Sequence, residues 1–163
     1  MKALVTYYSD TGNTEKIARA IYEVIHFEKE LKPVLEVGDI KGFDIIFYGF
    51  PVKAHSVPAK ATKLLKELPE GQKVAFFSTH GSLRGGHLPK QAFEHAVGLA
   101  SKAKLLGHFG CRGKVDDRVI DAMMKQIEHK AWAEEALGAN DHPDKNDIED
   151  AKNFALGILA KIS

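Results

Sequence analysis

Hydrophobic positions along the chain follow two different periods. Short apolar runs rich in β-branched and aromatic residues, bounded by glycine, proline or polar turns, predict buried strands. Stretches in which apolar residues recur every three or four positions predict amphipathic helices. Strands are predicted over 3–8, 34–37, 44–50, 73–79 and 104–111. Helices are predicted over 14–27, 58–68 and 89–101, around 119–127 and over 148–159.

The alternation of strands and helices predicts a single α/β domain over residues 1–163. Right-handed crossovers between parallel strands place helices on both faces of the sheet, and 44–50 is apolar on both faces, as a central strand must be. Asn146 and Glu149 resemble the capping box of the last helix. Ligands of such sheets bind beyond the carboxyl ends of the strands, where the winding reverses. The loops 9–14, 51–57 and 79–87 are therefore expected to form the site.

Composition narrows the class of protein. Of the 163 residues, 44% are hydrophobic and 28% are charged, which is typical of one globular domain that folds without disulfides or a metal. The chain has 23 Lys and Arg residues and 22 Asp and Glu residues. Its net charge therefore produces no overall positive potential of the kind that attracts nucleic acid, and no nucleic-acid partner is expected.

The cysteine content and the start of the chain indicate the cellular compartment, and a single cysteine fits a reducing one. Cys111 is the single cysteine, which excludes an intramolecular disulfide and a cysteine zinc site. No apolar run is long enough to span a membrane. Residues 1–8 lead directly into a loop motif rather than into the longer apolar stretch and cleavage site of a secretory signal. We therefore expect a cytoplasmic protein.

The loop after the first strand carries the clearest chemistry. It lies before the amino terminus of a helix, where unpaired backbone N–H groups and the helix dipole favour an anion. Its hydroxyls add donors, and Gly12 allows close backbone approach. Either a phosphate binds here without any cation or the loop only caps the helix, but three hydroxyls exceed what a cap needs. The residues are Ser9, Asp10, Thr11, Gly12, Asn13 and Thr14.

This run resembles the phosphate loop of flavodoxins, whose usual form is Ser/Thr-x-Thr-Gly-x-Thr. The spacing of strands and helices resembles that fold over nearly the whole chain. The resemblance implies a three-layer αβα sandwich with a five-stranded parallel sheet of order 2-1-3-4-5, and it implies FMN as the cofactor. It also implies that two further loops enclose the FMN ring. They contribute Pro51, Val52, Lys53, Ala54 and His55, and Thr79, His80, Gly81, Ser82, Gly85, Gly86 and His87.

The two ring loops depart from the flavodoxin pattern. Flavodoxins commonly flank the flavin with aromatic side chains and surround it with acidic residues, and neither loop contains either type. Lys53, Arg84 and three histidines stand there instead, which predicts a neutral to positive rim. Flavodoxins also commonly flip a backbone carbonyl of the second loop toward the flavin, which glycine makes cheap. Residues 52–57 contain no glycine, so a left-handed conformation at Ala54 or His55 is expected to cost about 1–2 kcal/mol.

Residues 112–140 form an extra helical segment between the fifth strand and the last helix. Its start is predicted at the carboxyl end of the fifth strand, on the same rim as the three loops. The sequence leaves four roles open, namely a lid, a dimer contact, a partner surface or structural padding. Trp132 either anchors the helix of this segment or marks an interface. The eight histidines are scattered and form no HExxH motif, so no metal site is expected.

Three functions follow from these features. The first is an FMN-binding redox protein that carries electrons between an NAD(P)H-dependent reductase and an acceptor protein. The second is an FMN-dependent reductase that acts directly on a quinone, tetrapyrrole or similar flat substrate, which the basic rim and the extra segment favour. The third is a flavin-free binding module, which the missing aromatics favour. Lys60, Lys63 and Lys66 form a basic stripe that is expected to help dock an acidic partner. No catalytic residue is assigned.

Overall fold

Five strands and six α-helices make up the computed structural model, which describes all of residues 1–163. The strands are β1 (Lys2–Tyr7), β2 (Glu28–Pro33), β3 (Ile45–Pro51), β4 (Lys73–His80) and β5 (Lys104–Arg112). The helices are α1 (Asn13–Glu23), α2 (Thr62–Glu67), α3 (His87–Leu99), α4 (Asp117–Met124), α5 (Ile127–Leu137) and α6 (Lys145–Ala160). No helix combines the length and the apolarity needed to cross a membrane.

The five strands form one parallel sheet in the order β2-β1-β3-β4-β5, which confirms the predicted fold. In the register of the sheet, Val5 lies beside Phe47, and Phe47 lies beside Ala75. Because the carboxyl ends of parallel strands meet at one edge, the loops after β1, β3 and β4 come together there.

Helices cover both faces of the sheet, and each face has its own core. The face under α1 and α6 contains a cluster of 17 buried residues, and the face under α2 and α3 contains a cluster of 16. Cys111 lies fully buried in the first cluster. Burial raises the pKa of its thiol well above the ordinary range. Cys111 therefore serves as a small buried side chain and not as a reactive thiolate.

The second strand was predicted at the wrong place. Residues 34–37 do not form a strand, because Val34–Glu36 is a short 3-10 helix, and β2 precedes it at Glu28–Pro33. β2 is an edge strand whose side chains are mostly charged. Glu30 pairs with Lys2 at 2.8 Å and with Lys32 at 2.6 Å. A strand with this composition has no hydrophobic run to reveal it, and charged residues suit an exposed sheet edge.

Two helical predictions also need correction. The capping box of α6 is formed by Asp144 and Asp147, each accepting a hydrogen bond from the other's backbone N–H, rather than by Asn146 and Glu149. The extra segment contains two helices, α4 and α5, where the sequence pattern indicated one.

Candidate cofactor site

A cavity of about 250 Å³ opens at the carboxyl edge of the sheet, where β1, β3 and β4 end. Residues of all three predicted loops line it. They are Ser9, Asp10, Thr11, Asn13, Thr14, Pro51, Val52, Lys53, Ala54, Thr79, His80 and Gly81. The rest of the lining comes from the extra segment, through Gly113, Lys114, Val115, Asp116, Val119 and Trp132. The cavity therefore lies where the loops meet the segment for which the sequence left four roles open.

The first loop ends at Gly12, which has φ +91° and stands immediately before α1. Glycine adopts this left-handed conformation without steric cost. No side chain caps the amino terminus of α1, and the Ser9 hydroxyl instead accepts a hydrogen bond from the Gly12 N–H at 3.1 Å. Since the N–H groups of a first helical turn have no partner within the helix, those of α1 remain available to an anion.

Thr14 joins the first loop to the end of β4. Its hydroxyl lies 2.9 Å from the hydroxyl of Thr79, and both residues are buried. One hydroxyl hydrogen is used between the two oxygens, so the pair keeps one hydrogen to donate elsewhere. Thr11, by contrast, is exposed beside the cavity.

The second loop is a tight turn closed by two backbone hydrogen bonds of 2.9 Å between Lys53 and Ser56. Ala54 follows Lys53 with φ +54°, so the left-handed conformation considered in the sequence analysis is present in this structure. The ammonium group of Lys53 pairs with the Asp10 carboxylate, which joins the second loop to the first. The hydrogen bond from Lys53 holds the pKa of Asp10 below its ordinary value.

His80 ends β4 and is 6% exposed. Its Nδ1 lies 2.8 Å from the carbonyl oxygen of Ser82. Because a carbonyl oxygen only accepts, Nδ1 carries the hydrogen and Nε2 keeps its lone pair. Burial lowers the pKa of His80 to about 4, so the imidazole is neutral at pH 7.

The sequence predicted a neutral to positive rim, and the loop cations described here lie at the neutral end of that range because carboxylates neutralise them. Arg84 turns toward α6, where it donates to Asp147 at 2.7 Å and to Asp150 at 2.8 Å. Lys53 is paired with Asp10, as described above. With His80 neutral as well, the loops contribute no unpaired positive charge from these three residues.

Six predicted site residues lie outside the lining of the cavity. Ser82 is buried and accepts the hydrogen bond from His80. Gly86 stands immediately before α3, and the N–H of Gly86 donates to the Leu83 carbonyl at 3.1 Å. The structure brings the first part of the third loop to the cavity and directs the rest toward α3. The six residues are Gly12, His55, Ser82, Gly85, Gly86 and His87.

The extra segment is tied to the loops by hydrogen bonds. Arg112 donates to the carbonyl oxygen of Gly81 at 3.1 Å and to that of Glu135 at 2.6 Å. The N–H of Gly113 donates to the His80 carbonyl at 2.8 Å, and the Asn13 side chain donates to the Lys114 carbonyl at 2.9 Å. These contacts hold the segment against the cavity.

Trp132 is the aromatic side chain that the loops lack. It lies half-buried on α5 and lines the cavity. A Cβ added at Gly81 would lie 2.5 Å from a Val115 methyl and 3.5 Å from the Trp132 ring, so the third loop passes closely beneath the segment. A tryptophan after the fifth strand was the one sign in the sequence of an aromatic residue at the site. Trp132 lines the cavity only because the folded chain returns to the first loop.

A group of possible metal ligands lies before α6. His142, Asp144 and Asp147 present ligand atoms within 4.8 Å of one another. Asp144 and Asp147 form the capping box, and His142 Nδ1 lies 2.5 Å from an Asp147 oxygen. These contacts account for the cluster as the start of α6.

Comparison with known proteins identifies the family. The model of the Flavodoxin domain family matches residues 4–156. The chain belongs to the flavodoxin domain family. A relative is the flavodoxin-like domain-containing protein BilS of Clostridioides difficile (strain CD3), which is 32% identical over 175 aligned positions covering 100% of this chain and 99% of BilS.

Solved structures of family members share the fold. A flavodoxin from the domain Archaea has a TM-score of 0.66 and 18% identity, with 99% of each chain covered. A flavoprotein from Lactobacillus acidophilus NCFM, in complex with FMN, has a TM-score of 0.56 and 23% identity, with 74% of this chain and 97% of the flavoprotein covered. At these identities the likeness extends to the fold.

Proposed function

We propose that the chain binds FMN in this cavity and carries electrons between a reductase and an acceptor. The observation that carries the proposal is the meeting of an uncapped helix amino terminus with two ring loops in one cavity. The Lactobacillus acidophilus flavoprotein of the same fold is a complex with FMN, which supports this cofactor. When bound, FMN supplies the electron transfer by accepting and releasing one or two electrons.

The phosphate of FMN would be held by the first loop. The free N–H groups of α1 and the hydroxyls of Ser9 and Thr11 are donors suited to a phosphate. Lys114, which the extra segment brings to this loop, adds a cation that the loop itself lacks. Its exposure to solvent makes its contribution smaller than that of the backbone donors.

The ring of FMN would be held between the second loop and the extra segment. Val52 and Ala54 line one side, and Val115, Val119 and Trp132 line the other. An aromatic side chain adds stacking to the apolar contact that a flat ring makes with such walls. The loops contain no aromatic residues, which favoured a flavin-free protein in the sequence analysis. Trp132 supplies an aromatic side chain from outside the loops, so this argument against a flavin is weaker.

A second function is supported by the extra segment. Because α4 and α5 wall the cavity, a small flat substrate could be shielded beside the FMN ring, as in an FMN-dependent reductase. Steady-state oxidation of NAD(P)H separates the two functions. A direct reductase oxidises NAD(P)H when a quinone is the only other reactant added. An electron carrier oxidises NAD(P)H only when a separate reductase and an acceptor protein are also present.

The cofactor is tested by titrating the FMN-free protein with FMN and with riboflavin, which lacks the phosphate. A lost hydrogen bond to a charged group costs about 1.5–3 kcal/mol, so Thr11→Ala should weaken FMN binding by roughly tenfold to a hundredfold. Riboflavin binding should be unchanged by Thr11→Ala, and Ser101→Ala, an exposed site far along the chain, should affect neither ligand. Absence of FMN uptake, or equal losses for both ligands, would contradict the proposal.

The basic stripe is proposed to dock an acidic partner. Lys60, Lys63 and Lys66 are exposed, and only Lys63 has a carboxylate within reach, Glu67 at 3.9 Å. Electrostatic docking should slow as salt is raised and should slow further when the three lysines are changed to glutamate. An electron-transfer rate that is independent of salt would count against this surface.

A further inference from the structure

A second cavity, of about 470 Å³, lies between α3 and β5 on the face of the sheet opposite α6. Half of its twelve lining residues have aromatic side chains, and the charged residues Lys90 and Glu94 also border it. Phe50 and Phe76 are each 1% exposed, and the Phe93 ring stacks on the His108 imidazole with 4.0 Å between ring centroids. A cavity walled by flat rings favours a flat apolar ligand. It shares only His80 with the lining of the cofactor cavity.

Two polar side chains converge inside this aromatic cavity. The ideal Cβ position of Gly110 lies 3.3 Å from His80 Nε2 and 3.3 Å from Ser78 Oγ. Gly110, Ser78 and His80 all line the cavity, so the missing side chain of Gly110 leaves open the space that both polar atoms border.

The hydrogen-bonding roles of these two groups differ. Nδ1 of His80 is occupied by the Ser82 carbonyl, so Nε2 of this buried imidazole is an acceptor without a partner in the chain. The Ser78 hydroxyl both donates and accepts. Nε2 is not among the side-chain atoms that are fully buried without a partner, so it keeps an accessible surface and is free to accept a hydrogen bond from a ligand.

We propose that the aromatic cavity binds a planar molecule of one or two rings that carries a hydroxyl or ring N–H group. The donor of the ligand faces His80 Nε2, and an acceptor atom of the ligand, which can be the oxygen of the same hydroxyl, faces the Ser78 hydroxyl. The site is separate from the cofactor cavity and does not require bound FMN. The chain would therefore bind a second ligand in a cavity that shares the His80 side chain with the cofactor cavity.

The probe for this site is 2-naphthol, titrated calorimetrically into the full-length protein with and without FMN. We expect saturable binding of one equivalent in both forms. The matched probe 2-methoxynaphthalene has the same rings but no donor, and it should bind about tenfold or more weakly because Nε2 stays unpaired. Loss of 2-naphthol binding on FMN addition would place the probe in the cofactor cavity and overturn the proposal.

Gly110→Ala adds a methyl group between the two polar atoms and should weaken 2-naphthol at least tenfold. Gly98→Ala is the matched control, since a Cβ there meets no atom within 4 Å, and it should leave binding unchanged. Ser78→Ala removes the hydroxyl without adding volume and should weaken binding severalfold, which keeps the test available if Gly110→Ala fails to fold. Equal affinity of the two probes, or no effect of either variant, would refute the site. If FMN fails to bind, the titration of the FMN-free protein still decides this proposal alone.

Discussion

The two walls of the cofactor cavity are stabilised by very different amounts of buried structure. The first loop connects β1 and α1, and most of the buried apolar residues of these two elements belong to a core of 17 buried residues. The extra segment has a core of its own with three, Ile120, Ala133 and Ala136. Ile127, the first residue of α5, is 94% exposed. Since burial of apolar surface is the main stabilising contribution, one wall shares the stability of the whole sheet and the other does not.

The weaker wall depends on its hydrogen bonds to the loops. Arg112 bridges the Gly81 and Glu135 carbonyls, and Asn13 reaches the Lys114 carbonyl. Segments with few buried apolar contacts open at free energies below that of global unfolding. We therefore expect α4 and α5 to open while the sheet stays folded. The predictions on Gly49 and Gly81 and on Arg112 test this difference, and those on His80 and Ala54 test the loops beside it.

The largest expected effect comes from adding one methyl group to each region. A Cβ at Gly49 would lie 2.0 Å from the Phe77 ring in the core, and a Cβ at Gly81 would lie 2.5 Å from Val115 in the segment. Gly49→Ala should lower the free energy of unfolding by about 3 kcal/mol, as overpacking of a core does. Gly81→Ala should change it by less than about 1 kcal/mol but should speed hydrogen exchange in α5. Urea unfolding and hydrogen exchange measure the two effects, and equal losses of global stability would show that the regions unfold together.

The next effect concerns His80, at the boundary between the regions. Its pKa in the folded protein is about 4, below the ordinary value near 6.5, because burial disfavours the charged form. Neutral His80 therefore lowers the stability of the folded protein least above pH 6.5. As the pH falls from 6.5 toward 4, the unfolded chain takes up a proton at this histidine before the folded protein does, and the free energy of unfolding falls. Over this range the free energy of unfolding should fall by about 3 kcal/mol more in the original protein than in His80→Gln.

The control for His80 is His26→Gln, at an exposed histidine beyond α1. Its pH dependence between 6.5 and 4 should match that of the original protein. If His80→Gln shows the same slope as both, then the buried imidazole does not hold its pKa low.

Removal of the Arg112 bridge should have a smaller effect, confined to the segment. Arg112→Met leaves the Gly81 and Glu135 carbonyls without this donor, at a cost of about 1–2 kcal/mol. Hydrogen exchange in α5 should rise by about tenfold or more, with little change in β1. Arg118→Met is the matched control, because Arg118 is 92% exposed and contacts Asp116 alone, and it should change stability by less than about 0.5 kcal/mol. Equal exchange rates in the two variants would remove Arg112 from this role.

The smallest effect comes from the second loop. Ala54 has φ +54°, a conformation that costs an alanine about 1–2 kcal/mol and costs a glycine little. Ala54→Gly should raise the free energy of unfolding by about 0.5–1 kcal/mol, after the greater entropy of glycine in the unfolded chain is subtracted. Ala59→Gly, in a short 3-10 helix, should lower it instead. Thermal unfolding of both variants checks the sign, and destabilisation by both would contradict a strained turn.

The fold and one half of the site were predictable because their signals are local. Strands β1, β3 and β4 are apolar runs, and the first loop has its hydroxyls and Gly12 within the six consecutive residues 9–14. The edge strand β2 was not predicted because its side chains are mostly charged and form ion pairs, so the strand has no apolar run in the sequence. The capping box was misplaced by two residues at each position, within a stretch where several polar residues have the required spacing.

The sequence by itself determined the pattern of strands and helices and the order of the candidate site residues along the chain, and it predicted an anion-binding loop at residues 9–14. Only the tertiary structure decided which distant residues meet that loop. Arg84 pairs with Asp147, which lies 63 positions later, and Asn13 contacts Lys114, which lies 101 positions later. The physical reason is that periodicity and turn chemistry act over a few neighbouring residues, whereas charge pairing and the wall at Trp132 depend on where the chain returns after folding.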